Sequence, residues 1–130
     1  MRLWVCGVRG STPAPGDAFC RYGGHTSCLA LAHDGETPSL VLDAGTGVRQ
    51  VSGLLDGGPF RGTLLLGHLH WDHTQGLPFF RAADRPDART TVLLPAQGDP
   101  VAVLARAMSP PHFPIDPGGL QGAWRFEALQ

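Results

Sequence analysis

Lysine and asparagine are absent, and all ten basic residues are arginine. Eleven acidic residues bring the formal net charge to −1, so no excess of either sign argues for a nucleic-acid or membrane-surface binder. Using arginine for every lysine is a mark of genomic composition bias rather than of chemistry. Charged residues are scarce at 16% while hydrophobic ones reach 42%, a balance too apolar for a disordered tail and suited to a buried core. Long hydrophobic runs are missing too: none approaches the roughly 20 residues that a bilayer span needs. The opening Met1-Arg2-Leu3-Trp4-Val5-Cys6 reads as a strand and lacks the charged region and long apolar stretch of a secretion signal. Cysteine is limited to Cys6, Cys20 and Cys28, an odd set without CxxC spacing. That argues against a disulfide scaffold and a thiolate metal site, and it points to a reducing cytoplasm.

A chain of 130 residues supports one domain with a real core and hardly two. The apolar run at 3–8 predicts a first strand. Residues 9–25, rich in Gly, Pro, Ser and Asp, predict a long loop, and loops of that length tend to carry function. Strands are expected at 27–32 and 39–42, joined by the turn Asp34-Gly35-Glu36 as a β-hairpin. Asp43-Ala44-Gly45-Thr46-Gly47 breaks the second of these. Val48, Val51, Leu54 and Leu55 then recur at helical spacing and predict an amphipathic helix over 47–55, stopped by Gly57-Gly58-Pro59. A strand follows at 63–67, a short helix within 74–83, a strand at 91–94 and a helix over 101–108. A Pro-rich loop at 109–119 leads to a last strand at 124–129. Strands alternating with helices predict a mixed α/β fold, helices packed on a mixed sheet, with no repeat or linker.

The residues that carry chemistry are His68-Leu69-His70-Trp71-Asp72-His73, at the end of the strand expected at 63–67. Alternate residues of an extended chain share a side, so His68 and His70 can converge on one cation. After a turn, the adjacent Asp72 and His73 aim differently and can serve a second cation close to the first. Imidazole nitrogen with carboxylate oxygen suits Zn²⁺, and also Fe or Mn²⁺. Two such ions roughly 3.5–4 Å apart can clamp both oxygens of a displacement at phosphorus. A single histidine at a strand end is most often a solvated loop residue. Three histidines and an aspartate in six positions read as a ligand set. By spacing alone Asp43 reads as the N-cap of the helix that follows it.

Segments spread in order along the chain resemble the metallo-β-lactamase superfamily of hydrolases. They are Gly7-Val8-Arg9-Gly10-Ser11-Thr12-Pro13, Arg21-Tyr22-Gly23-Gly24, Leu42-Asp43-Ala44-Gly45-Thr46-Gly47, and the run from His70 through Asp72, His73 and Gly76 to Phe80. They most resemble the bacterial branch related to ribonuclease Z, the class II cyclic-nucleotide phosphodiesterases and the phosphonate-pathway phosphodiesterases. The resemblance implies that residues 1–130 form the N-terminal half of a four-layer αβ/βα sandwich, a partial domain in a truncated chain. It implies that His68 and His70 bind a first metal and that Asp72 and His73 bind a second. Asp72 then lies near the attacking water as the catalytic carboxylate, and Asp43 lies beneath the site, holding a ligand or backbone group in place. Two divalent ions, Zn²⁺ first and Mn²⁺ or Fe next, are the implied cofactors. The implied reaction is hydrolysis by a metal-bound hydroxide, available near pH 7 because the ion brings the pKa of water down to about 7. A small phosphoester or nucleotide-type substrate is expected from the Gly-Ser-Thr-Pro and Tyr-Gly-Gly loops, with nucleic acid entering only through the ribonuclease Z analogy. Thioester and lactam hydrolysis are the alternatives within the superfamily.

Two departures from the family pattern stand out. His25 follows the paired glycines where relatives commonly carry Asn, and it is a candidate substrate-side contact. The superfamily also completes its site with a His, a bridging Asp and a last His from the C-terminal half, which residues 1–130 do not reach. His112 and Asp116, in the Pro-rich loop, are the residues left to consider, and His112 stands where relatives often place an aromatic residue beside the substrate. With about two protein ligands per ion instead of three, weak metal binding and impaired activity are expected. A half-sandwich also leaves an apolar face open, so a homo-oligomer or a complementing C-terminal half is the expected partner. A non-catalytic, metal-binding half-domain is the alternative to the enzyme.

Overall fold

The computed structural model describes every residue, Met1–Gln130. Six strands lie in one sheet in sequence order: β1 (Arg2–Gly7), β2 (Cys28–Ala32), β3 (Leu40–Leu42), β4 (Arg61–Leu65), β5 (Arg89–Pro95) and β6 (Ala123–Leu129). The first three pair antiparallel, and β3 to β6 run parallel. Parallel neighbours need crossovers, and each is supplied by a short helix with a 3₁₀ turn. The helices are α1 (Val48–Val51), α2 (Trp71–Thr74) and α3 (Pro100–Ala105). The fold is therefore mixed α/β, with β2 and β3 forming the hairpin read from the sequence. No helix is long and apolar enough to cross a membrane.

Local chemistry accounts for the helix boundaries. α3 starts where Asp99 accepts a hydrogen bond from the Ala102 amide at 2.9 Å and Pro100 takes the first helical position. The helix expected within 74–83 lies earlier. α2 begins at Trp71, inside the histidine motif, and gives way to a 3₁₀ turn, Leu77–Phe79, with Pro78 near its start. Proline has no N–H to continue an α-helical ladder, which is why the segment splits into two short turns.

Alternation along the strands sorts the sheet into two unlike faces. On one side Cys6, Cys28, Ala30, Val41, Leu64, Val92 and Leu94 meet Val48, Val51, Leu77 and Leu104 from the crossovers in a single buried core. Phe60 and Phe80 close it with ring centroids 4.9 Å apart. On the other side the register lines up Val5, Leu29, Leu42, Leu65 and Leu93 across five strands, ending at Glu127. A second row holds Leu3, Leu31, Leu40, Thr63 and Thr91, ending at Arg125. None of these residues belongs to the core, and Leu3 and Val5 are 53% and 59% exposed. An apolar face of this breadth is uncommon on a monomer.

The two faces respond differently to substitution. Leu64→Ala removes a fully buried side chain and is expected to cost about 2–5 kcal/mol in denaturant unfolding. Leu31→Lys, on the open face, is expected to leave the melting temperature nearly unchanged while lowering the binding of an apolar dye such as ANS.

Candidate metal centre

The site is built around Asp43, the first residue past β3. It sits at φ +64, a left-handed conformation that costs most L-residues about 1–2 kcal/mol and that Asp tolerates better than most. Its Oδ2 accepts hydrogen bonds from Nδ1 of His73 at 2.7 Å and from Oγ of Ser27 at 3.0 Å. Its Oδ1 accepts the Gly67 amide at 2.8 Å. One carboxylate thus ties the start of β2, the exit of β4 and helix α2 together. Asp43 is not the helix cap that its spacing suggests. The N-cap of α1 is Gly47, without a side-chain bond, because the Asp43 carboxylate is turned to these three donors instead.

A carboxylate can only accept, so a neutral His73 carries its proton on Nδ1 and presents the lone pair of Nε2 on its other side. Nε2 lies 3.3 Å from Oδ2 of Asp72. Asp72 is buried in the first turn of α2, and its Oδ2 accepts the Ser11 amide at 2.9 Å. That backbone N–H is the main cause that holds the Asp72 carboxyl below the usual carboxylate range. The His68 ring stands 3.7 Å, centroid to centroid, from that of His73. One ligand atom each from His68, Asp72 and His73 lies within 4.8 Å of the others.

Strand periodicity is not what gathers these residues. β4 ends at Leu65, and His68 and His70 lie in the connection to α2 rather than on an extended strand. The tightest group also crosses the expected division into His68–His70 and Asp72–His73. His70 is the exposed N-cap residue of α2, its ring edge-on to His68 at 4.7 Å. Close backbone approach sets the group in place. The Ala44 amide donates to the His73 carbonyl and the Gly76 amide to the Ala44 carbonyl, both at 2.8 Å. A Cβ on Gly45 would lie 2.3 Å from the Asp72 carbonyl oxygen, so no side chain fits there.

Two imidazoles and a carboxylate, one imidazole braced by a further carboxylate, are a donor set that fits a divalent ion such as Zn²⁺, Mn²⁺ or Fe²⁺. The other residues named from the sequence lie outside the group. Nδ1 of His25 is 3.2 Å from Oγ1 of Thr46, and the His25 carbonyl accepts the Val8 and Arg9 amides, so His25 braces the loop after β3. His112 is exposed in the loop after α3, and Asp116 precedes the 3₁₀ turn Pro117–Gly119. Cys6 and Cys28 are buried free thiols, and Cys20 is exposed. Sequence reasoning passed over Ser11 and Ser27. Their bonds to Asp72 and Asp43 span 61 and 16 positions and leave no local spacing to read.

Asp43→Ala is expected to weaken divalent-metal binding about 10–100-fold in chelator competition, through loss of the brace on His73. Gly45→Ala is expected to lower stability by more than about 2 kcal/mol, read from chemical denaturation, since backbone must move to admit the methyl group. No family model, curated protein or solved structure matches the chain, which leaves the His68–Asp72–His73 geometry as the ground for a functional reading.

Proposed function

We propose that the chain is the N-terminal half of a metal-dependent hydrolase of the metallo-β-lactamase type, acting on phosphodiesters or related phosphoesters. The observation that carries the reading is the convergence of His68, Asp72 and His73 within 4.8 Å, with Asp43 setting the His73 tautomer. When bound, divalent ions supply an activated water near neutral pH and a counter-charge for the substrate oxygen. His68, His70 and His73 would hold them through ring nitrogens and Asp72 through its carboxylate. Asp72, kept ionised by the Ser11 amide, would accept a hydrogen bond from the attacking water and orient it. Asp43 works through His73, fixing which nitrogen faces the ion.

The apolar sheet face supports the half-sandwich part of the reading. One row of leucine and valine in register across five strands, beside a second that is leucine across three, suits the inner surface of a two-sheet packing. His68, His70, Asp72 and His73 fall short of three protein ligands for each of two ions. A complementing half laid against that face would cover the leucines and supply the remaining ligands. The three free cysteines suit a reducing compartment such as the cytoplasm.

The test is metal uptake and hydrolysis of bis(p-nitrophenyl) phosphate by the purified chain, its His68→Ala and Asp72→Ala variants, and the chain complemented by a C-terminal half. Weak binding of Zn²⁺ or Mn²⁺ is expected, lost in both variants, with turnover rising on complementation. A chain that takes up no divalent metal would sink the hydrolase reading. Metal uptake without turnover in the complemented form would leave a non-catalytic metal-binding half-domain.

A further inference from the structure

The two apolar residues interleaved with the ligands, Leu69 and Trp71, form a partition between two cavities. On one side a cavity of about 300 Å³ opens between α2 and α3, with Leu69, Trp71, Phe79, Val103, Met108 and Phe113 in its walls. Trp71 is 71% exposed and Phe79 50%, and Phe79 meets Phe113 edge-on at 5.8 Å. Its polar side chains are few and partly engaged. The Thr74 hydroxyl donates to the His70 carbonyl at 3.4 Å, and the Gln75 amide donates to Oγ1 of Thr26 at 3.5 Å. On the other side of Leu69 and Trp71, His68 and His70 share a cleft with Gln97 and Arg106. Arg106 is exposed, follows directly on α3, and makes no ion pair.

We propose that the paired cavities bind an aryl phosphoester, with the aromatic ring in the Trp71–Phe113 cavity and the phosphoryl oxygens against Arg106 beside His68 and His70. The substrate class rests on the hydrolase reading above, whereas the binding itself does not. A volume of about 300 Å³ is at the small end of ligand pockets, which run from roughly 300 to 1,000 Å³. It takes one flat ring more readily than a long chain or a peptide. Aromatic walls favour edge and face contacts with such a ring. Thr74 and Gln75 are the polar side chains of the lining besides the Trp71 indole, too few to read the edge of a nucleobase, so an unsubstituted aryl group is the better fit. An unpaired guanidinium beside the histidines matches the opposite charge and forked geometry of a phosphoryl group.

Phenylphosphonate, methylphosphonate and benzyl alcohol separate the parts. Binding is read from the indole N–H resonance of Trp71, assigned with Trp71→Phe, on the metal-free and the Zn²⁺-treated chain. Phenylphosphonate is expected to bind about tenfold more tightly than methylphosphonate, as burial of one ring implies. Phe113→Ala, which removes a wall that the cleft of His68 and His70 does not share, is expected to remove most of that preference while leaving methylphosphonate affinity unchanged. Phe79→Ala, at the exposed rim, is expected to reduce it several-fold. Arg106→Gln is expected to weaken both phosphonates alike and leave benzyl alcohol untouched. Equal affinity for the two phosphonates in the wild-type chain would overturn the proposal. So would a preference that survives both cavity variants, or phosphonate binding indifferent to Arg106→Gln. Since the preference is measured without metal, its loss counts against the cavity, whereas failure to take up metal counts against the hydrolase reading.

Discussion

Everything at the candidate metal centre depends on one carboxylate accepting three hydrogen bonds. Asp43 reaches Ser27, Gly67 and His73 from a single point at the end of β3. An unpaired carboxylate in a partly buried position would be costly, and three donors remove that cost. The same bonds decide the chemistry of the neighbouring ring, because a proton held on Nδ1 of His73 leaves only Nε2 for an ion. Fold stability and ligand geometry are therefore set by the same atoms. Asp72 follows similar logic on a smaller scale, drawing the Ser11 loop over the site through one amide.

Much of this was legible in the residues alone. The strands were readable because β-rich apolar runs end at Gly, Pro and Asp, and the antiparallel hairpin because Asp34-Gly35-Glu36 separates two of them. The cluster from His68 to His73 announced itself by composition. Its internal geometry did not. Alternation suggested an extended segment, but β4 stops at Leu65 and helix α2 starts at Trp71, so a turn and a half-formed helix bring His68, Asp72 and His73 together. Spacing alone assigns Asp43 to a cap, since a side chain's choice among distant donors is a tertiary event, and only the family resemblance puts it beneath the site. Ser11 and Ser27 could not be found at all from spacing, because their partners come from elements far along the chain.

The sheet carries a second lesson about pattern and burial. Strands buried on both faces read as continuous apolar runs, and Leu-Ala-Leu-Ala in β2 or Leu-Val-Leu in β3 do so. One face is filled by the crossovers. The other keeps its leucines half-exposed, so the strands are more apolar than the cover given by the crossovers requires. That mismatch arises from packing alone, independently of the side chains gathered at His68, Asp72 and His73.

Strand order has a consequence for synthesis. Because β1 to β6 lie in the sheet in the order in which they occur in the chain, each strand can add to an edge already present as it leaves the ribosome. Every residue that shapes the candidate centre, from Ser11 through Asp43 to Gly76, emerges ahead of β5, which begins at Arg89. The group can therefore take shape on the nascent chain before β5 and β6 have left the ribosome.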